Sequence, residues 1–400
     1  PCVPATLITG RRAHAGMRVS SDATLRRWRE TVQSFMREEI GIEYCRQCYQ
    51  ERTYPHELYD ALVENGWIGL TVPEEYGGQG GDQVEQAVLL EALGMYGYDF
   101  GIPALTSAAG VENVLAFGTD EQIERFVPAI LDGDIRFSVG VTEPDTGSDA
   151  ASLQTRAEND GDGTYVVTGE KTYQSGAAAP DTLVQAFVRT DPDAPKREGI
   201  SLLMIPTDLD GVDVTELSLV SRKAVGTAQL FFDGARVPVD NRLGSEGEGW
   251  DLLSDHLIRE HTGIAAMMVG NAQTVVDTAA DEAASRERFG QSIGRFQEIG
   301  HRLADMQTEV DSARLLVYRA ASAIDRGEGS RRLTAQAKLK AGEVLRSVAG
   351  DGMQILGGAS LFPANDMERY WREGASATIA GGTSEIQRAI VARELLSDRE

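Results

Sequence analysis

Apolar residues repeat with the period of an α-helix in the first and last parts of the chain. Near the start, Leu25, Trp28, Val32 and Met36 are spaced three to four residues apart, which places them on one face of a helix. Alternating steps of three and four also join apolar residues further along, at Leu303, Met306, Val310, Ala313, Val317, Ala320 and Ile324. This second spacing predicts a buried seam between long antiparallel helices.

The middle of the chain has the pattern of a β-domain. A strand-like run, Thr164–Gly169, follows Asp160–Gly163, whose composition is typical of a hairpin turn. Clusters of Pro, Asp and Gly separate further apolar runs at residues 183–188, 200–205 and 228–237. Regular short strands with such turns predict a small antiparallel barrel or sandwich.

Together these patterns predict a fold that is mainly α with a central β-domain. We expect a flexible N-terminal extension over residues 1–20, an N-terminal helical domain over 21–136 and a middle β-domain over 137–246. Residues 247–400 then form a C-terminal helical domain of the four-helix-bundle type. The order of domains by itself leaves the function open.

Composition and charge narrow the class of partner. The 400 residues include 62 Asp and Glu but only 38 Lys and Arg, which gives a net charge of −24. Such a chain is repelled by nucleic acid and by anionic membrane surfaces, so we expect neither as a partner. We find no run of about 20 apolar residues and no long apolar signal core, and we expect a cytoplasmic protein.

The cysteines and histidines do not form a metal-site pattern. Cys45 and Cys48 make a lone CxxC, which lacks the second ligand pair of a structural zinc site, so two ordinary thiols are expected. The five histidines show no HExxH spacing. We therefore predict no metal.

Two motifs give the chain a family resemblance. The run Val141–Asp149 (VTEPDTGSD) and the run Gly381–Arg388 (GGTSEIQR) resemble the two signatures of the acyl-CoA dehydrogenase family. Further motifs follow in family order over roughly residues 20 to 398. The resemblance implies the same three domains, FAD as cofactor, and a bundle that forms the core of a homotetramer or homodimer.

The resemblance also implies which residues contact FAD. In the family, the first signature and the motif after it hold the flavin ring and the diphosphate, which assigns this role to Val141, Thr142, Gly147, Ser148, Tyr173 and Ser175. Tyr173 stands where the family usually has Trp. The C-terminal elements match at Arg286, Phe289, Gln297, Gln354, Gly358 and Thr383, and several of these reach the FAD of a neighbouring subunit in relatives.

The catalytic base is displaced from its commonest family position. Many relatives carry a Glu immediately before the Gly-Thr of the second signature, where this chain has Gly381. Relatives of the isovaleryl-CoA and long-chain type place the base on the helix after the β-domain instead, and the matching residue here is Glu260. His261 follows it where the family usually has Arg, and Ala380 stands where an aromatic residue is common.

The implied reaction is α,β-dehydrogenation of an acyl-CoA thioester. Glu260 would remove the α-proton while a hydride leaves the β-carbon for flavin N5. The thioester carbonyl would be held by the backbone N–H of Gly381 and a ribityl hydroxyl of FAD. We expect burial beside the flavin and the acyl chain to raise the pKa of Glu260 and so to suit it for base work.

Other functions are compatible with the same fold. The family resemblance implies electron-transfer flavoprotein as the electron acceptor. A dehydrogenase of acyl-carrier-protein thioesters, an enoyl-CoA reductase and a flavin oxidase remain open, because substrate and acceptor cannot be read from these motifs. A flavin-binding relative without dehydrogenase activity is the alternative from a different functional class.

Overall fold

The computed structural model describes residues 22–397, so the predicted flexible extension over residues 1–20 lies outside it. The first part is helical and comprises α1 (Asp22–Phe35), α2 (Gly41–Glu51), α3 (His56–Glu64), α4 (Gln83–Gly94), α5 (Ile102–Phe117) and α6 (Asp120–Leu131). Val32 and Met36 of the predicted apolar face are fully buried, and Trp28 donates a hydrogen bond to the Glu85 carbonyl at 2.9 Å. The face predicted from spacing therefore packs inward.

Local sequence explains where two of these helices begin. Asp82 accepts a hydrogen bond from the Glu85 N–H while the Glu85 carboxylate accepts from the Asp82 N–H, which forms a capping box before α4. Thr119 and Gln122 form the equivalent box before α6. The stretch Tyr98–Phe117, which includes α5, is long and apolar enough to cross a membrane, but most of it is buried inside the protein. This burial identifies the stretch as part of the protein core.

The middle part is a β-domain built on one large sheet. Its strands are β1 (Arg136–Gly140), β2 (Arg156–Asn159), β3 (Thr164–Ser175), β4 (Thr182–Arg189), β5 (Ile200–Pro206), β6 (Val212–Glu216), β7 (Thr227–Pro238) and β8 (Arg242–Leu243). They are ordered β6-β7-β3-β2-β4-β5-β8, and β1 adds to β4. Most pairs are antiparallel as expected, but β1 and β2 both run parallel to β4, so the sheet is mixed.

The last part is helical again. Two long helices, α7 (Gly249–Ser285) and α8 (Gln297–Asp325), flank the short hairpin of β9 (Glu287–Arg288) and β10 (Gln291–Ser292). They are followed by α9 (Arg331–Leu356), α10 (Asp366–Ala377) and α11 (Ser384–Ser397). The seam predicted on α8 is buried from Met306 to Ala320, and Leu303 and Ile324 at its two ends are partly buried. The order of a helical part, a β-domain and a second helical part confirms the predicted fold class.

The two helical parts share one hydrophobic core. A continuous apolar cluster extends from α1 and α4 into α7, α8 and α9. Small residues let α4 and α7 cross closely, because a Cβ on Gly94 would lie 2.3 Å from the Met267 carbonyl oxygen. This packing fixes α7, which carries the candidate base, against the N-terminal helices. Cys45 and Cys48 lie buried within α2 as free thiols.

Candidate active site

Glu260 lies in the second quarter of α7 with its side chain 23% exposed. Its carboxylate Oε2 is 3.5 Å from Nε2 of His256, one helical turn earlier. Burial raises the pKa of Glu260, but the hydrogen bond to His256 and the charges of His256, His261 and Arg222 outweigh burial and lower it. The pKa of Glu260 is lowered by the protein's own groups because polar neighbours surround the carboxylate. The rise expected from burial beside the flavin and the acyl chain stays a prediction.

The turn at Gly381 and Gly382 packs against the helix that bears Glu260. Both glycines have left-handed backbone, with φ of 64° and 79°. A Cβ on Gly381 would lie 2.8 Å from the Ile264 side chain, and a Cβ on Gly382 would lie 3.9 Å from Nε2 of His261. A glutamate at 381 would thus need both a strained backbone and a shift of Ile264. This is consistent with a base supplied from α7.

A buried lysine holds this turn in place. Nζ of Lys338, on α9, donates to the Gly382 carbonyl at 2.5 Å and to the Ala377 carbonyl at 3.4 Å. Burial lowers the pKa of Lys338 to about 8, although the charge of Glu260 opposes this shift. Burial also lowers the pKa of His261 to about 4, so its ring is neutral near pH 7.

Arg222 brings a second cation to the site from the loop between β6 and β7. Its guanidinium donates through Nη2 to the Tyr98 hydroxyl at 2.7 Å and through Nη1 to Ser175 Oγ at 3.0 Å. The backbone at Arg222 is left-handed, with φ of 56°. Because Arg222 also acts on Glu260 electrostatically, it connects the predicted flavin contact Ser175 with the candidate base.

The first signature is shaped by a buried ion pair. Lys171 Nζ lies 2.8 Å from Oε1 of Glu143, and both side chains are at most 6% exposed. The Glu143 carboxylate also accepts from the N–H groups of Gln154 and Thr155 at 2.6 and 2.9 Å. Burial raises the pKa of Glu143, but Lys171 and these donors outweigh it and lower it. The pair ties residues 141–155 to β3.

This tie brings the predicted flavin contacts of the β-domain together. The Thr142 carbonyl accepts from the Thr172 N–H at 2.8 Å. Val141 and Thr142 therefore lie beside the C-terminal end of β3, which holds Tyr173 and Ser175. Gly147 and Ser148 are exposed at the loop that follows. Tyr173 is 60% exposed on a left-handed backbone with φ of 67°. It is therefore not the core-facing strand residue that its position in β3 would otherwise suggest.

Several of the predicted C-terminal contacts lie on the surface. Arg286 Nη1 donates to the Leu356 carbonyl at 2.8 Å, which joins it to the segment that holds Gln354 and Gly358. Phe289, in the β9–β10 turn, is 95% exposed. Gln297, Gln354 and Gly358 are exposed as well, whereas Thr383 is half-buried and accepts from the Ile386 N–H at the start of α11.

These residues fit FAD chemically. Hydroxyls of Thr142, Ser148 and Ser175 suit the polar edge of a flavin ring, and the Arg286 guanidinium suits a diphosphate. A Cβ on Gly147 would meet nothing closer than 3.9 Å, so its backbone is open to close approach. An open cleft of about 510 Å³ lies beside the N-terminus of α11, and Arg346 and Thr383 line it together with the carboxylates of Glu343 and Glu385.

Sequence reasoning missed several residues of the site. His256 is a turn away from Glu260 on the same helix, a signal that helical spacing alone could have revealed. Lys171 lies within the motif that follows the first signature, and only the fold shows its partner Glu143. Arg222 and Lys338 come from distant segments, so no local pattern marks them. No group of three or more potential metal ligands occurs among residues 22–397.

Comparisons with known proteins match all three parts of the chain. Family models described as the acyl-CoA dehydrogenase N-terminal, middle and C-terminal domains match residues 22–134, 138–235 and 247–396. A probable acyl-CoA dehydrogenase, YngJ of Bacillus subtilis, is 34% identical over 92% of this chain and 97% of its own length. An L-prolyl-[peptidyl-carrier protein] dehydrogenase of Pseudomonas fluorescens is 32% identical over 89% of this chain and 95% of its own. The structure of a glutaryl-coenzyme A dehydrogenase with glutaryl-CoA superposes with a TM-score of 0.90 at 29% identity, covering 96% of this chain and 98% of that one.

Proposed function

This chain belongs to the acyl-CoA dehydrogenase family of FAD-dependent oxidoreductases, and from that premise we propose that it dehydrogenates a CoA thioester between its α- and β-carbons. Glu260 is the base that takes the α-proton. The observation that carries the proposal is the meeting of Glu260, Arg222 and the Gly381–Gly382 turn at one place. A carboxylate, a fixed cation and backbone donors are the groups that enolate formation requires.

The ionisation of the site suits base work at neutral pH. The lowered pKa of Glu260 keeps it as a carboxylate before substrate arrives, so no proton must first be removed. A bound acyl group excludes water from the carboxylate, and this desolvation moves its pKa toward that of the carbon acid. The neutral ring of His261 adds no proton that could compete with the substrate at pH 7.

The Gly381 N–H is proposed to hold the thioester carbonyl. Within residues 22–397 this N–H donates to no protein acceptor, whereas the Gly381 and Gly382 carbonyls are held by the amide of Gln387 at 3.3 Å each. A donor left free in this way can stabilise the negative charge that develops on the carbonyl oxygen. Loss of one such donor costs about 3–4 kcal/mol of transition-state stabilisation.

FAD is proposed to lie between two groups of residues. Val141, Thr142, Ser148, Tyr173 and Ser175 would hold the flavin, and the surface group around Arg286 would reach the cofactor of another protomer. When bound, FAD supplies the acceptor for the hydride that leaves the β-carbon. This arrangement supports a homotetramer or homodimer, and light scattering of the flavin-loaded protein distinguishes the two.

The substrate carrier and the electron acceptor are further parts of the proposal. We favour CoA over a carrier protein because YngJ and the glutaryl-coenzyme A dehydrogenase act on CoA thioesters by their names. The similarity to an L-prolyl-[peptidyl-carrier protein] dehydrogenase supports a carrier-bound acyl group as the second candidate. Electron-transfer flavoprotein is proposed as the acceptor on the family resemblance.

An anaerobic titration tests the function. The flavin-loaded protein is mixed in turn with CoA thioesters of short, long, branched and dicarboxylic acyl groups, and with the same acyl groups on a carrier protein. We expect the oxidised flavin band to bleach with one class of CoA thioester. Bleaching by carrier thioesters alone would move the proposal to the second candidate. Flavin that dithionite reduces and no thioester reduces would contradict dehydrogenase activity.

A further inference from the structure

His256 and Glu260 form a pair on one face of α7. They are four residues apart, so their side chains lie one above the other on the helix. The His256 ring is 1% exposed, and its Nε2 atom lies 3.5 Å from the Glu260 carboxylate. This is long for a hydrogen bond, as is common for catalytic contacts before substrate binds.

The other ring nitrogen of His256 is set by a chain of buried amides. Gln185 donates through Nε2 to the Gly110 carbonyl at 3.2 Å, which leaves its Oε1 as an acceptor. Asn113 donates through Nδ2 to this Oε1 at 2.7 Å, and the same nitrogen lies 3.0 Å from Nδ1 of His256. An amide nitrogen only donates, so Nδ1 must accept, and the proton of a neutral His256 ring is placed on Nε2.

Two further observations support this tautomer. The Oδ1 atom of Asn113 faces the Arg259 guanidinium at 3.5 Å, as an acceptor oxygen should. Asn113 and Gln185 are at most 1% exposed, so water does not compete for these groups. This series of hydrogen bonds begins at the Gly110 carbonyl of α5 and passes through Gln185 of β4. It returns to α5 at Asn113 and ends at His256 on α7. Two domains therefore fix which nitrogen of His256 carries the proton.

Other titratable and charged groups also face Glu260 and contribute to its electrostatic environment. His261 lies on the same helix, Lys338 comes from α9, Arg222 comes from the loop before β7, and Tyr98 precedes α5. Lys338 is engaged by two carbonyls, and Arg222 is engaged by Tyr98 and Ser175. Unlike these four neighbours, His256 combines contact with the carboxylate at 3.5 Å and a donor whose tautomer is fixed.

We propose that His256 is a positioning residue that presents a fixed Nε2–H to Glu260, aims its carboxylate and keeps it ionised. This inference rests on the proposed role of Glu260 as the base. Asn113 and Gln185 serve it by holding the ring in the donor tautomer. A hydrogen bond to the charged form of an acid lowers its pKa, so removal of the donor raises the pH below which the base is protonated and inactive.

A matched pair of variants tests this role. In His256→Gln the side-chain nitrogen can occupy the place of Nε2 and still donate to Glu260. In His256→Asn the shorter amide keeps contact with Asn113 but does not reach Glu260. Both replacements are polar and uncharged, so the pair separates the contact with Glu260 from simple filling of the site. The rate of flavin reduction by the active thioester is measured from pH 4 to 9 in a single turnover, so that the acidic limb is covered.

The pair gives opposite expectations. In His256→Asn the acidic limb of the pH profile moves up by about one unit. On the part of the limb that lies below both pKa values the rate falls about tenfold, since one pKa unit is a factor of ten. In His256→Gln the limb returns to within a few tenths of a unit of wild type. If both variants lose thermal stability while their limbs stay at the wild-type pH, His256 is structural and the inference fails.

The proposed function can fail separately. If no thioester reduces the wild-type flavin, the dehydrogenase proposal and this inference fall together. If wild type is reduced and the His256→Asn profile is unchanged, only the role of His256 is overturned. Should His256→Asn bind no flavin, Asn113→Leu provides the second variant, because it frees the ring tautomer without touching either ring or base. It is expected to move the same limb in the same direction, and an unmoved limb overturns the inference.

Discussion

At the scale of single residues, Glu373 holds a proton where the three parts of the protein meet. Its side chain is fully buried, and its Oε2 accepts from the Tyr98 N–H at 2.7 Å. Burial and the nearby charge of Asp99 raise the pKa of Glu373 to about 8, against the opposing charges of Arg369 and Arg222. Asp99 in turn accepts from the N–H groups of residues 224 and 225 in the β-domain.

Glu373 should make stability depend on pH. Its pKa in the folded protein lies above the value of a free Glu. Its contribution to the free energy of unfolding is therefore fully present below about pH 4.5 and is lost as pH rises through about 8. Glu373→Gln mimics the protonated acid. We expect the variant to be more stable than wild type by a few kcal/mol at pH 9 and by less than about 1 kcal/mol at pH 5, as measured by urea unfolding. The exposed Glu64→Gln is the control. An equal pH dependence in wild type and Glu373→Gln would contradict the buried proton.

The candidate base was predicted from the family resemblance rather than from residue types alone. Glu260 could be chosen from its position after the β-domain, because the glycine at position 381 required a base from elsewhere. Its pKa could not be predicted, since the sign depends on His256 and Arg222, which the fold places beside it. The exposure of Tyr173 depends likewise on a left-handed backbone that its strand-like sequence does not reveal.

At the scale of elements, the crossing of α4 and α7 positions the base helix. Gly94 and Gly270 line this crossing, and a Cβ on Gly270 would lie 1.9 Å from the Glu91 carbonyl oxygen. Backbone cannot yield as a flexible side chain can. The two helices therefore approach at a distance that only glycine permits at these positions.

Gly270→Ala should force these helices apart. We expect a loss of about 1–3 kcal/mol in the free energy of unfolding, the usual range for overpacking, measured by chemical denaturation of the flavin-loaded protein. Gly350→Ala, in the interior of α9, is the matched control because a Cβ at that position would have no atom within 4 Å. Alanine there should stabilise by about 0.5–1 kcal/mol through helix propensity. An unchanged free energy of unfolding in Gly270→Ala would contradict the close packing of α4 and α7.

Most elements could be predicted because their patterns are local. The apolar seam of α8 and the strands β3, β4, β5 and β7 follow from period and turn composition. The parallel pairing of β1 with β4 could not be predicted, since it joins strands separated by two others in sequence. Such pairings are decided by packing between distant segments rather than by local preference.

At the scale of the whole molecule, residues from all three parts form the candidate site. Glu260 comes from the last part, Arg222 and Ser175 from the middle, and Tyr98 and Asn113 from the first. Motif order along the chain was sufficient to predict the three-part fold. It could not predict Arg222, Lys338 or the amide chain to His256, because contacts between parts leave no spacing in the sequence.

The central claim is that Glu260 removes the α-proton, and single-turnover flavin reduction in Glu260→Gln tests it most directly. The variant should bind FAD and thioester as wild type does, because glutamine preserves the size of the side chain. Its rate of flavin reduction should fall about 10³-fold, within the usual range for loss of a general base. Reduction at the wild-type rate in the flavin-loaded variant would show that another group takes the proton.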